Sequence, residues 1–145
     1  ALSKFKEKYG IKVIAHKPDD EWIETGENTV AEAYNIEYKP CKVDQRLTEE
    51  EEKIDFGRHE INLVHIPGHT PGSIACYMDI ERKRILFGQD IHGPYNLPGA
   101  DREKARKSLE KMLDLKADIL CEGHSGTFEP EENVERFIRD NLAKI

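Results

Sequence analysis

"VHIPGHTPGSIACYMDI" (residues 64–80) runs a strand-like stretch into a turn built from Pro67, Gly68, Pro71 and Gly72, then out into a second apolar stretch. One histidine, His69, stands in the middle of that turn. The prolines fix their own φ and the glycines admit conformations other residues avoid, so the corner is stiff. A metal-binding side chain placed there needs no ordering when its ligand arrives.

Outward from this corner the pattern is that of strands. "EINLVHIPG", "SIACYMDI" and "RILFGQD" are β-rich runs, and the charged "IERKR" reads as the hairpin connection between the last two. These strands are expected to be antiparallel. Towards the N-terminus, residues 3–9 read as a short helix stopped by Gly10, and "IKVIAH" as a buried strand ending at His16. "PDDEWIETG" has helix punctuation at both ends, and residues 29–35 suggest another short helix. Residues 36–53, with Pro40 and "TEEEEK", read as an exposed, charged excursion.

Beyond Asp101, which can cap a helix, Ala105, Leu109, Met112 and Leu113 share one face. "DILCEGH" is a further buried strand. A last helix starts at Pro130, with Val134, Phe137, Ile138, Leu142 and Ile145 as its apolar stripe. This order predicts an α/β (α+β) protein, its sheets covered by helices on their outer faces, in a single domain over residues 1–145.

Composition narrows the function classes. Of 145 residues, 37% are apolar and 35% charged, which suits an ordered, soluble chain. A net charge of −7 argues against a nucleic-acid surface. No apolar run approaches the roughly 20 residues that span a bilayer, and lysines interrupt any signal-peptide core near the start. Cys41, Cys76 and Cys121 are an odd, scattered set, which fits free structural thiols in a reducing cytoplasm. The expected partner is a small-molecule substrate, with no nucleic acid and no membrane.

Three buried runs feed Gly-containing turns that present His69, Asp90 and His124. Strand ends are where a rigid sheet can aim distant residues at one point. Two imidazoles and a carboxylate suit zinc, iron or manganese. Each residue also has a plainer reading as a polar turn residue, and spacing does not show that the three strand ends converge.

"PGHTPGS" (67–73), "FGQD" (87–90) and "EGHSG" (122–126), in that order, resemble the later motifs of the metallo-β-lactamase superfamily. The resemblance covers essentially the whole chain and implies an αββα sandwich. It also implies that His69 and His124 each serve one of two zinc ions and that Asp90, the catalytic residue of the set, bridges them. Hydroxide held between the metals would attack an ester, thioester or lactone-type bond, and Thr70 and Ser125 are candidates to orient the ligands, against plain turn hydrogen bonding. Gln89 stands before Asp90 where the family more usually has glycine. The family's His-x-His-x-Asp-His signature occurs nowhere in these residues. The chain therefore reads as the C-terminal portion of a longer domain, incomplete at the N-terminus, which alone would bind metal weakly and catalyse little.

Two alternatives stand beside this reading. One is a diiron oxidoreductase of the same superfamily. The other is a non-catalytic module that associates, as a homo-oligomer, through an exposed sheet. A serine hydrolase is disfavoured because "GHSGT" lacks the Gly-x-Ser-x-Gly spacing. His65 reads as an ordinary strand residue; His92, two residues beyond Asp90, could approach a substrate but reads first as an exposed loop histidine.

Overall fold

The computed structural model describes residues 2–145. They form two compact units that divide between Thr48 and Glu49.

The first unit holds helix α1 (Leu2–Tyr9), strand β1 (Ile14–His16), helix α2 (Lys17–Thr25), a 3-10 turn (Glu32–Tyr34) and strand β2 (Gln45–Leu47). β1 and β2 pair in parallel. Gly26, at φ +88°, closes α2 in the left-handed conformation and returns its N–H to Trp22 O. Val13, Ala15, Cys41 and Val43 form the small core, with Ile23 against it. Residues 36–53 are not the solvated excursion their charge suggests. Cys41, Val43 and Leu47 are buried, because apolar residues are interleaved with the charges. The helix expected over 29–35 is only the single 3-10 turn.

The second unit is a six-stranded sheet in the order β3-β4-β5-β6-β7-β8. Its strands are β3 (Glu51–Phe56), β4 (His59–His65), β5 (Ile74–Ile80), β6 (Lys83–Gln89), β7 (Ile119–Glu122) and β8 (Gly126–Phe128). As expected, β4, β5 and β6 pair antiparallel. The acidic run belongs to the edge strand β3, where Lys53 pairs with Glu60 across the ladder at 2.7 Å. Charge on an edge strand discourages pairing with other chains. The β5–β6 hairpin turns on Glu81 and Arg82, both at positive φ (+50° and +68°), as a right-twisted two-residue turn requires.

β6 and β7 are parallel, and helix α3 (Arg102–Asp114) lies between them in the chain. Asp101 caps α3 by accepting the Lys104 N–H at 3.0 Å. Helix α4 (Glu131–Leu142) follows β8. The helical stripes read from the sequence form one core with the sheet: Leu109, Met112, Val134 and Ile138 pack with Val64, Ala75, Leu86 and Leu120. Removing one such side chain, as in Leu109→Ala, costs about 2–5 kcal/mol. This core fixes the ends of β4, β6 and β7, from which the three candidate ligands project.

Candidate metal centre

The His69 turn is bonded to its surroundings on every side. Ile66 N–H donates to Ser73 O at 2.8 Å and closes its base. Ser108 Oγ donates to Pro67 O at 2.7 Å, and Asp101 N–H donates to Gly68 O at 2.9 Å, so α3 holds one flank. Thr70 and Ser73 hydroxyls lie 2.7 Å apart, and Thr70 N–H donates to Ser73 Oγ at 3.0 Å. His65 joins as well, its Nε2 lying 2.8 Å from Pro71 O. It is a strut of the turn rather than an ordinary strand residue.

Within this frame His69 Nδ1 lies 3.0 Å from Pro94 O. A carbonyl only accepts, so Nδ1 carries a proton and, in the neutral ring, Nε2 keeps its lone pair. A hydrogen bond that fixes the far nitrogen in this way is what orients a metal-bound imidazole. The sequence gives no signal of it, because a backbone carbonyl 25 positions away supplies the bond.

Asp90 follows a bulge in the β6–β7 pairing at Phe87/Gln89. Gln89 sits at φ +53°, the left-handed region where glycine is at ease. Its departure from the family pattern is therefore a backbone matter and not a trivial exchange. Gly123 brings the β7 end close: its N–H donates to Gln89 O at 3.0 Å, and any Cβ there would fall on Asp90 Oδ1.

His124 is held through a residue that the sequence reading passed over. Glu122 lies at the end of β7 with its side chain fully buried. Its Oε2 accepts the N–H groups of His124 at 2.8 Å and Ser125 at 2.6 Å. Its Oε1 lies 2.6 Å from His92 Nδ1. Burial pushes the Glu122 carboxyl up, but His92 and the two N–H groups outweigh it, and the group is held below its ordinary value. The sequence signal was available: Leu120 and Glu122 share a face of β7, so a charge sits where the alternation puts core. His92, read as an exposed loop histidine, is tethered instead, and its ring meets that of His124 edge-on at 5.5 Å. Nearby, Tyr95 O–H donates to Ile91 O, and burial first, then the Glu122 charge, push its phenol up to about 12.

These supports bring the three residues together. His69 Nε2 is 3.6 Å from Asp90 Oδ2, and His124 Nε2 is 3.4 Å from Asp90 Oδ1. Each imidazole thus faces a different oxygen of one carboxylate. Both separations exceed those of an ordinary N–H···O bond. The donor types, two imidazoles and a carboxylate, are ones that zinc or iron accepts. Each pair supplies only two donors, however. Among the described residues no group of three or more histidine, cysteine, aspartate or glutamate side chains could hold a metal ion. The cavity beneath His69 and Asp90, lined by Ile66, Gly88 and Ala105, is about 20 Å³.

Residues 1–124 match the model of the metallo-beta-lactamase superfamily. The chain belongs to that superfamily. The probable metallo-hydrolase YqgX of Bacillus subtilis is 28% identical over 143 residues, which cover 92% of this chain and 64% of that protein. The chain thus spans less than two thirds of its length. Among solved structures, TTHA1623 in a di-iron-bound form superposes with a TM-score of 0.76 at 27% identity, over 94% of this chain and 68% of that one. The class B3 di-zinc metallo-beta-lactamase LRA-12, from an Alaskan soil metagenome, gives 0.74 at 22% identity, over 99% and 64%. The mixed α/β fold is therefore the superfamily's fold, as expected. Among the described residues no helix is long and apolar enough to cross a membrane.

Proposed function

We propose that this chain carries part of a dinuclear metallo-hydrolase centre in which His69 and His124 each bind one ion and Asp90 bridges the two. The observation that supports this reading is the placement of two imidazoles on opposite oxygens of one carboxylate. Zinc is the metal favoured by the donor set, and iron is the alternative, given the di-iron relative. When bound, such ions lower the pKa of water and polarise the bond to be cleaved. The chain's own part is to hold the bridging carboxylate and the two imidazoles in place, His69 through Pro94 O and His124 through Glu122. The substrate class is a small molecule with an ester, thioester or lactone-type bond. The three residues named here give each ion only two donors, so the 145-residue chain is expected to bind metal weakly and turn over little.

Elemental analysis of the purified chain, with zinc and iron titrated separately, tests this reading. Weak, saturable uptake that His69→Ala and His124→Ala each reduce supports it. Uptake indifferent to both substitutions would remove them from the centre.

A further inference from the structure

The reading above leaves unexplained a buried carboxylate beside the centre and a third histidine bound to it. Glu122 is fully buried, and both its oxygens are engaged: Oε2 by two backbone N–H groups, Oε1 by His92 Nδ1. An ionised carboxylate only accepts hydrogen bonds. The nitrogen that faces it must therefore carry a proton, and in a neutral ring the other nitrogen is then bare. His92 is about one-third exposed, and its ring meets that of His124 edge-on.

We propose that Glu122 is the positioning residue of this centre: one oxygen sets the His124 turn, and the other fixes His92 as the Nδ1–H tautomer with an Nε2 lone pair presented beside His124. The purpose of this arrangement rests on the reading of His124 as a ligand; the tautomer does not. One side chain thereby ties the loop after β6 to the turn after β7, so the His124 backbone and the His92 ring cannot move independently. His92 Nε2 then serves as a hydrogen-bond acceptor beside His124.

Glu122→Gln makes a selective probe. Two backbone N–H groups compete with one imidazole nitrogen for the new amide, so its carbonyl oxygen should stay on His124 and Ser125. Its NH₂ would then face His92 Nδ1 and donate, which forces the ring into the Nε2–H tautomer.

The experiment is long-range ¹H–¹⁵N correlation of the imidazoles in the metal-free, ¹⁵N-labelled chain at pH 8.5, for the native sequence and for Glu122→Gln. His59, on the surface, serves as the reference for an unconstrained ring. The native chain should show His92 as Nδ1–H and the variant should show it as Nε2–H. A native His92 that is Nε2–H, doubly protonated, or averaged like His59 overturns the inference, and this holds even if the variant fails to fold. A switched tautomer in the variant, with zinc added alone binding about 10- to 100-fold more weakly, supports the positioning role. Absence of zinc uptake by the native chain with His92 as Nδ1–H sinks the metal reading while the Glu122–His92 pairing stands. Zinc uptake with His92 in any other state does the reverse.

Discussion

Gly68 lies so close to α3 that a Cβ added to it would stand 2.5 Å from Ala105 Cα and 2.6 Å from Ala105 Cβ. The turn that carries His69 and the first turn of α3 are therefore packed as one piece, with the Asp101 N–H on Gly68 O as the link. The glycine next to the candidate ligand is needed for close approach, quite apart from any conformational freedom.

Gly68→Ala should accordingly overpack this junction and destabilise the chain by about 1–3 kcal/mol. Urea denaturation would show it as a lower midpoint with an unchanged slope. Adding Ala105→Gly should restore only part of the loss, because the contact with the Cα of residue 105 remains. A wild-type midpoint in Gly68→Ala would mean that the junction is looser than these distances imply.

Gln89 offers a change in the opposite direction. A non-glycine residue in the left-handed region costs about 1–2 kcal/mol, while glycine costs about 0.5–1 kcal/mol in chain entropy. Gln89 is exposed, so Gln89→Gly removes little packing. The net expectation is a gain of up to about 1 kcal/mol, read as a raised denaturation midpoint. A loss of stability would show that the Gln89 side chain contributes contacts that outweigh its backbone strain.

These two glycine-type positions also show what was legible in the sequence and what was not. The stiff turn around His69, the cap at Asp101 and the apolar stripes of α3 and α4 could be read because each is a local pattern of residue types. The three candidate ligands could be named because each ends a buried run. That His69 and His124 approach opposite oxygens of Asp90 could not be read, since it depends on which strands are neighbours. The bond from His69 Nδ1 to a carbonyl and the left-handed backbone at Gln89 leave no mark in residue type at all. Strand β8, three residues long, is too short for alternation to show. Glu122 is the opposite case: a charge at a core-facing strand position was visible and was overlooked.

Glu50 gives the chain a pH dependence of calculable sign. Its carboxylate accepts from Lys111 Nζ at 2.8 Å and lies 3.4 Å from His65 Nδ1. The Lys111 bond, with His65 adding to it against some desolvation, holds the Glu50 carboxyl below its ordinary value. A carboxyl depressed in the folded state stabilises the chain above its unfolded value, about 4.3. That contribution is lost as pH falls through the lower folded value. The carboxylate is 73% exposed, so the contribution is at most about 1 kcal/mol. Glu50→Gln should therefore be less stable than the parent at pH 7 by that small amount, and the two curves should converge at low pH. A difference that persists unchanged through the acid range would assign the effect to packing instead of charge.

Gly123 bears most directly on the centre. A Cβ there falls on Asp90 Oδ1, the oxygen that faces His124, and comes within 3.3 Å of the Gln89 backbone. The first obstacle is the end of a rotatable side chain, which can turn away; the second is tight but tolerable. Gly123→Ala should therefore fold with a modest loss of stability while displacing the one carboxylate that both imidazoles share. If Asp90 bridges two ions, zinc uptake should fall as far as it does in Asp90→Asn, even though the substitution lies at no ligand. Zinc binding and urea denaturation on the same samples separate the two effects. A folded Gly123→Ala chain with undiminished zinc uptake would show that Asp90 Oδ1 takes no part in binding.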